Sequence, residues 1–223
     1  MLEQPPPPQP RKKPQQSRSQ HMVTAILDAC LKILSEHGEQ ALTLPLLEHV
    51  SGAGKGSIYQ YFPSLEAIVA ALYERECQTA IRDTLAQLTS TSSHPEMTLE
   101  SLLEDMIESS VTTHERLRLL HSSFHNRYGS HYDIGKIYGE SYGVLNFVED
   151  YFVPLIRKEY PDASFEEAKA AGFFLLQGIK SQFFTALELY PEKICDPDFQ
   201  AYLIKIGVWI LCETLKPGVT TQD

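Results

Sequence analysis

A short polar stretch at residues 55–61 carries side chains suited to hydrogen bonding with another molecule. These side chains are Lys55, Ser57, Tyr59, Gln60 and Tyr61. Ile58 and Phe62 are apolar and four residues apart, which predicts a helix with an inward face and polar side chains outside. Lysine and glutamine can reach base edges or phosphates, and serine and tyrosine hydroxyls can bond phosphate oxygens. The stretch therefore predicts contact with a DNA groove.

The preceding residues predict the elements that position this helix. Thr43 suits the N-cap of a first short helix, and Pro45 falls in its first turn, where a missing N–H costs little. Gly52 can supply the left-handed backbone of a turn before the second helix begins near Lys55. Two short helices joined by a glycine-bearing turn are typical of a helix-turn-helix.

The segment from Lys55 to Ser64 resembles the recognition-helix signature of the TetR family of bacterial transcription regulators. That signature reads lysine-glycine-threonine-leucine-tyrosine-x-tyrosine-phenylalanine, followed by a short linker. Residues 26–30 and Gly38 are similar to the first helix of that family and its end, so the motif resemblance covers roughly residues 21–75. It implies that Thr43 meets the DNA backbone. It also implies operator contacts from Lys55, Gly56, Ser57, Tyr59, Gln60 and Tyr61.

Three positions depart from the family pattern. Leu65 stands where a basic residue is usual, Glu48 where a small apolar residue is common, and Pro45 where a polar or basic one is frequent. These departures leave a second interpretation open, in which the chain is a helical ligand-binding or adaptor protein that has lost DNA binding.

Charge is distributed unevenly along the chain, whose formal net charge is −10. Residues 21–75 hold three basic residues against six acids, which is unfavourable for phosphate contact. Residues 1–20 are rich in proline and glutamine and predict a disordered or polyproline-like tail. The basic residues of that tail are Arg11, Lys12, Lys13 and Arg18. We hypothesise that they supply the missing charge to DNA, a purely solubilising tail being the alternative.

The remaining pattern predicts an all-α protein with about nine helices. We expect a tail at residues 1–20, a helix-turn-helix head at 21–67, and a ligand-binding and dimerisation body at 68–223. Ser64 is a predicted N-cap, Asp196 precedes a proline at a first helical position, and Thr112–Glu115 and Ser164–Glu167 have capping-box spacing. Helices are predicted over about 64–88, 98–111, 113–125, 133–159, 164–190 and 196–215.

The last two predicted helices are apolar around most of their circumference, which suggests partners on more than one side. The family resemblance implies that this pair forms a four-helix interface in a homodimer, although plain core helices are the alternative. The expected interface residues are Ala171, Leu175, Gly178, Ile206, Trp209 and Ile210.

The middle helices mix aromatic and polar side chains, as a small-molecule effector site requires. In the family such a site lies inside the bundle, and its ligand changes the separation of the heads. The expected ligand-binding residues are His121, Phe124, His125, Tyr128, Tyr142, Asn146 and Gln177.

Motifs of enzymes and membrane proteins are not evident in the sequence. We find no nucleophile elbow, no phosphate-cradling glycine loop and no metal signature, and we expect no enzyme activity, no catalytic residue, no cofactor and no metal. His121 and His125, four apart, lack a nearby carboxylate or cysteine motif to complete a metal site.

With no apolar run near 20 residues and no secretory signal, we expect a cytoplasmic protein without a membrane partner. The expected partners are an operator duplex, an unidentified effector and a second copy of the chain.

Overall fold

A computed structural model of the chain describes residues 6–11, 16–91, 97–132 and 144–216. Over those ranges it has nine helices and no strand, which confirms the predicted all-α class. The first six are α1 (Ser17–His37), α2 (Leu44–Ser51), α3 (Lys55–Tyr61), α4 (Leu65–Thr91), α5 (Leu99–Leu120) and α6 (Ser122–Tyr128). Helix α7 spans 144–159, followed by α8 (Phe165–Leu189) and α9 (Pro197–Thr214). Short 3-10 turns occupy Glu39–Ala41, Gly129–His131 and Pro191–Cys195.

The chain divides into two compact units, each with its own apolar core. Unit 1 comprises Met1–Ala80 and Thr112–Tyr132, and unit 2 comprises Ile81–Val111 and Asp133–Asp223. The long helices α4 and α5 therefore contribute residues to both units. No helix in the described part of the chain is long and apolar enough to cross a membrane.

Unit 1 is built on the apolar face of α1, which packs against α2. Its fully buried side chains include Ile26, Ile33, Leu47, Ile58 and Tyr73, drawn from α1, α2, α3 and α4. The hydroxyl of Tyr73 donates to the carbonyl oxygens of Leu117 at 2.5 Å and His121 at 3.0 Å, which ties α4 to the end of α5. The two helices of the helix-turn-helix, α2 and α3, thus share a buried core with α1 and α4.

Unit 2 is built around the close packing of α8 on α9. A Cβ added at Gly178 of α8 would lie 2.3 Å from Cδ1 of Ile210, and one added at Gly207 of α9 would lie 2.6 Å from Cδ1 of Ile179. With glycine at these two positions the isoleucine side chains of the facing helix pack directly against the helix backbone, and a larger residue would require them to shift.

Most of the predicted helix ends are confirmed. Gly38 has φ 76° after α1 and Gly52 has φ 69° after α2. The Ser64 hydroxyl accepts from the N–H of Ala67 at 3.1 Å. The Ser164–Glu167 box is complete, and Asp196 caps α9 ahead of Pro197.

Two predicted boundaries were wrong, and one predicted helix is irregular. Thr112 and Glu115 do not begin a helix, because α5 runs without interruption to Leu120. Helix α1 begins at Ser17 rather than His21, where the Ser19 hydroxyl accepts from the N–H of Gln16 at 3.2 Å. The predicted helix over 133–159 contains a π-helical turn, Val148–Phe152, between the α-helical segments Val144–Phe147 and Val153–Glu159. Its first part, up to residue 143, lies outside the described residues.

Candidate nucleic-acid interface

Helix α3 is held by an apolar face that packs into unit 1. Ile58 and Phe62 are each 1% exposed, and Leu47 of α2 is fully buried. Burial of such side chains contributes roughly 1.5–3 kcal/mol each. The inward face predicted from Ile58 and Phe62 is therefore present, and it fixes which side of α3 faces solvent.

The turn between α2 and α3 depends on Gly52 and Ser51. Gly52 is left-handed, with ψ 6°, and its N–H donates to the Glu48 carbonyl oxygen at 3.0 Å. The Ser51 hydroxyl donates to the Leu47 carbonyl oxygen at 2.6 Å and accepts from the N–H of Ala53 at 3.2 Å. The turn is thus closed by its own hydrogen bonds, and α3 begins three residues after Gly52.

The outward face of α3 carries most of the polar residues singled out in the sequence. Lys55, Gly56 and Gln60 are exposed, Tyr59 is 38% exposed, and Ser57 is half-buried. Thr43 is the N-cap residue of α2, and its exposed side chain makes no capping hydrogen bond. Lys55, Gly56, Tyr59 and Gln60 have the spacing of one helix face and form the polar surface of α3.

Tyr61 does not belong to that surface. It is 8% exposed, because it lies three residues after Ile58 and shares the inward side of α3. The expectation that its side chain is available outside was wrong. Spacing from Ile58 and Phe62 could not settle its direction, since tyrosine suits a packed position and an exposed one equally well.

The comparison with known families agrees with this geometry. Residues 26–72 match the family model described as bacterial regulatory proteins, tetR family. The match makes residues 26–72 a TetR-type helix-turn-helix domain. The match covers α2, α3 and parts of α1 and α4. It ends eight residues before Ala80, the last residue in the first segment of unit 1. A comparison with curated proteins finds no match.

Residues 21–75 have few cations to offer DNA, and one of the three is already paired. Arg75 lies 2.5 Å from a carboxylate oxygen of Asp28 and 3.5 Å from one of Glu76. Lys55 is the cation of α3, and it is exposed. The electrostatic deficit predicted from residues 21–75 is therefore also present in the folded domain.

Part of the predicted tail packs against this domain. Pro7 is buried, and the N–H of Arg11 donates to the carbonyl oxygen of Tyr61 at 2.8 Å. Residues 17–20 of the tail are the start of α1. The expectation of a disordered tail was wrong for these residues, since prolines can bury apolar rings without losing side-chain entropy. Lys12 and Lys13 lie outside the described residues.

Four of the expected ligand-binding residues lie together in unit 1, in or next to α6. Phe124, His125 and Tyr128 are buried, and the Phe124 ring lies 4.8 Å from the rings of both Tyr73 and Tyr128. Nδ1 of His121 lies 2.9 Å from a carboxylate oxygen of Glu39. Edge-to-face contacts at these distances are typical of packed aromatic clusters.

A buried histidine pair adjoins this aromatic cluster. Nδ1 of His114 lies 3.4 Å from Nε2 of His125. Burial lowers the pKa of His114 to about 3, and burial also lowers the pKa of His125. Both rings are therefore neutral near pH 7, which suits a packed core.

The other expected ligand-binding residues are placed elsewhere. Asn146 is exposed on α7 and Gln177 is half-buried on α8, both in unit 2, and Tyr142 lies outside the described residues. Unit 2 has an open groove of about 340 Å³ between α5 and α9, with Glu104, Glu108 and Gln200 on its walls. Among the described residues, no group of three or more histidine, cysteine, aspartate or glutamate side chains is arranged to hold a metal ion.

The expected dimer residues divide into core and surface. Ala171 and Leu175 are fully buried within unit 2, so they are not available to a second chain and their assignment was wrong. Trp209 is 62% exposed, and Gly178, Ile206 and Ile210 are half-buried. Phe174 belongs to the apolar pattern of α8 but was not among the expected interface residues, and it is 56% exposed one residue before the buried Leu175. An apolar helix does not by itself reveal which of its sides the protomer already covers.

Proposed function

We propose that this chain is a ligand-released repressor that binds a palindromic operator as a homodimer in the cytoplasm. The observation that carries the proposal is the polar surface of Lys55, Gln60 and Tyr59 on α3, within a segment that matches the tetR family model. Helix α3 is the recognition helix in this proposal, and it lies in the major groove.

Individual residues then have separate roles in DNA binding. Gln60 is exposed on α3 and can pair with a base edge, which supports sequence discrimination. Lys55 and Thr43 can bind phosphate oxygens, which position the domain without reading sequence. Gly56 is exposed and has no atom within 4 Å of a would-be Cβ, which leaves room for close backbone approach to DNA.

Dimerisation is supported by the apolar surface of α8 and α9. Tyr202, Ile206 and Trp209 follow each other at four- and three-residue spacing along α9. Trp209 and Phe174 expose more than half of their surface. Exposed aromatic side chains on adjacent helices are typical of protein–protein interfaces. A two-fold dimer presents two recognition helices to half-sites about 34–36 Å apart.

Effector release requires a ligand that binds one conformation of the dimer better than the other. The predicted residues in unit 1, Phe124, His125 and Tyr128, are packed against one another, so a ligand there would have to displace side chains. The chemical class of the effector is accordingly left open in this proposal.

The first test is selection of a duplex from a random-sequence pool by the full-length protein, followed by titration against a scrambled duplex. We expect a palindromic consensus and tighter binding to it. Gln60→Ala should lose about 1–3 kcal/mol on the selected duplex and little on the scrambled one. Lys55→Ala should weaken binding to both, because a phosphate contact carries no sequence information.

Gln78→Ala is the matched control, since Gln78 is an exposed glutamine on α4, outside the polar surface of α3 and the proposed dimer helices α8 and α9. It should bind both duplexes as the wild-type protein does. If the pool yields no consensus even at low salt, the proposal fails. The chain is then better described as a helical ligand-binding or adaptor protein that has lost DNA binding.

A further inference from the structure

Residues 6–11, here called the arm, have one side against unit 1 and one side in solvent. Pro7 is buried and Pro8 and Pro10 are half-buried, whereas Gln9 and Arg11 are exposed. The prolines therefore form the docked side of the arm. The Gln9 and Arg11 side chains are exposed, and the Gln9 side-chain amide donates to the Pro7 carbonyl oxygen at 3.4 Å.

The arm is also tied to the recognition helix through its backbone. The N–H of Arg11 donates to the carbonyl oxygen of Tyr61, the last residue of α3, at 2.8 Å. That carbonyl belongs to the final turn of the helix, whose oxygens have no partner within α3. The hydrogen bond therefore places the backbone of Arg11 at the carboxyl end of α3, and the Arg11 side chain is exposed there.

The proline-rich composition of the arm lowers the entropy cost of this placement. Proline restricts φ in the unfolded chain and in the folded one alike, so a proline-rich segment loses little freedom when it docks. A cation held in this way binds an anion with a smaller ordering cost than one on a flexible tail.

The polar surface of α3 contains few cations. Lys55 is the lysine of α3, and Arg75 is engaged by Asp28 and Glu76. DNA affinity depends strongly on the number of phosphates that lysine and arginine neutralise. One more cation beside α3 therefore changes affinity more here than in a strongly basic domain.

We propose that the docked arm carries Arg11 onto the phosphate backbone of the operator, next to the groove that α3 occupies; this rests on the operator binding proposed above. The arm is then a fixed part of the DNA-binding surface rather than a flexible solubilising tail. Arg11 contributes charge, and Pro7 contributes the position of that charge.

The experiment measures affinity of full-length protein for the selected duplex over a series of monovalent salt concentrations. Arg11→Ala keeps the backbone N–H and removes the charge. We expect weaker binding at low salt and a log–log salt slope reduced by about 0.9 per protomer. Arg157→Ala is the matched control, because Arg157 is exposed on α7 in unit 2 and the change in net charge is the same. Its slope should equal that of the wild-type protein.

Pro7→Ser tests the docking separately, because it keeps the charge and removes the buried ring. If docking positions Arg11, then Arg11→Ala costs less affinity in the Pro7→Ser background than in the wild-type protein. Equal losses in both backgrounds overturn the docked arm. An Arg11→Ala slope equal to the wild-type slope overturns the phosphate contact and leaves operator binding intact. If the wild-type protein does not distinguish the selected duplex from a scrambled one, operator binding and the arm proposal both fail.

Discussion

Two glycines of the TetR-type domain have the same open surroundings but different backbones. Gly52 has φ 69°, Gly56 lies within α3, and a Cβ at either position would meet no atom within 4 Å. Steric crowding therefore cannot explain any effect of adding a methyl group. Only the backbone conformation differs between them.

This difference predicts opposite effects on stability. Gly52→Ala should lower the free energy of unfolding by about 1–2 kcal/mol, because a left-handed backbone is strained with a Cβ. Gly56→Ala should raise it by roughly 0.5–1 kcal/mol, since alanine is the better helix former. Urea unfolding monitored by circular dichroism measures both.

Gly56→Ala also separates stability from DNA binding. If the backbone at Gly56 approaches DNA closely, the alanine variant should be more stable and yet bind the selected duplex more weakly. Unchanged binding would remove Gly56 from the set of DNA-contacting residues.

At the scale of elements, Glu39 links the turn after α1 to the start of α6. Its carboxylate accepts from the N–H of Ser123 at 3.1 Å and from the Ser123 hydroxyl at 2.7 Å. The Ser123 hydrogen bonds hold the pKa of Glu39 below its usual range. A carboxylate at a helix N-terminus also interacts favourably with the unpaired N–H groups there.

Glu39→Gln should therefore destabilise the protein by about 1 kcal/mol at pH 7, the difference between a charged and a neutral acceptor. Because the pKa is lowered in the folded state, this stabilisation is present above the unfolded pKa near 4.3 and disappears as pH falls through the folded value. The measurement is the wild-type minus variant difference in unfolding free energy at pH 7 and at pH 3.

Glu36→Gln is the control for that difference, because the Glu36 side chain is 53% exposed at the end of α1. It should change stability by less than about 0.5 kcal/mol. A Glu39→Gln effect no larger than this, or one that persists unchanged at pH 3, would contradict a capping role for the charge.

Helix ends could be predicted where a few neighbouring residues determine them. Gly38, Gly52 and the Ser164–Glu167 box satisfy backbone groups through their own chemistry, so the sequence was sufficient. The Thr112–Glu115 pattern failed because Thr113 and His114 are buried in the middle of α5, and tertiary packing extends the helix through them.

The candidate site could likewise be predicted where local residues determine it, and not where tertiary packing does. The polar surface of α3 could be predicted from local spacing, whereas the burial of Tyr61 and the docking of Pro7 depend on contacts between distant segments. The π-helical turn Val148–Phe152 ends two residues before Pro154, which lacks an N–H and disturbs the helical hydrogen bonds before it, but the proline alone does not specify a π-helical turn. A Cβ at Gly172 of α8 would lie 3.0 Å from Val148 and 3.1 Å from Phe152, so the turn packs against a residue far away in the sequence.

At the scale of the whole molecule, the fold leaves apolar surface that one protomer does not cover. Trp209 is 62% exposed and Phe174 is 56% exposed, while the buried Leu175 and Leu203 show that the opposite sides of α8 and α9 are already packed. Exposing two large aromatic side chains is unfavourable unless a partner removes them from water. A second copy of the chain is the partner that two-fold operator binding requires.

Trp209→Ala should therefore weaken the dimer, because a tryptophan at the centre of an interface commonly contributes 2 kcal/mol or more, about a thirtyfold change in dissociation constant. Sedimentation equilibrium gives that constant directly. Leu119→Ala is the control, since Leu119 is a still more exposed apolar residue, at 75%, and lies on the unit 1 part of α5. A wild-type protein that is monomeric at micromolar concentration, or a Trp209→Ala constant equal to that of Leu119→Ala, would place the dimer contact elsewhere.

If the dimer weakens as expected, Trp209→Ala should also lose affinity for the full palindrome while keeping its affinity for a single half-site, because two recognition helices no longer bind as one unit.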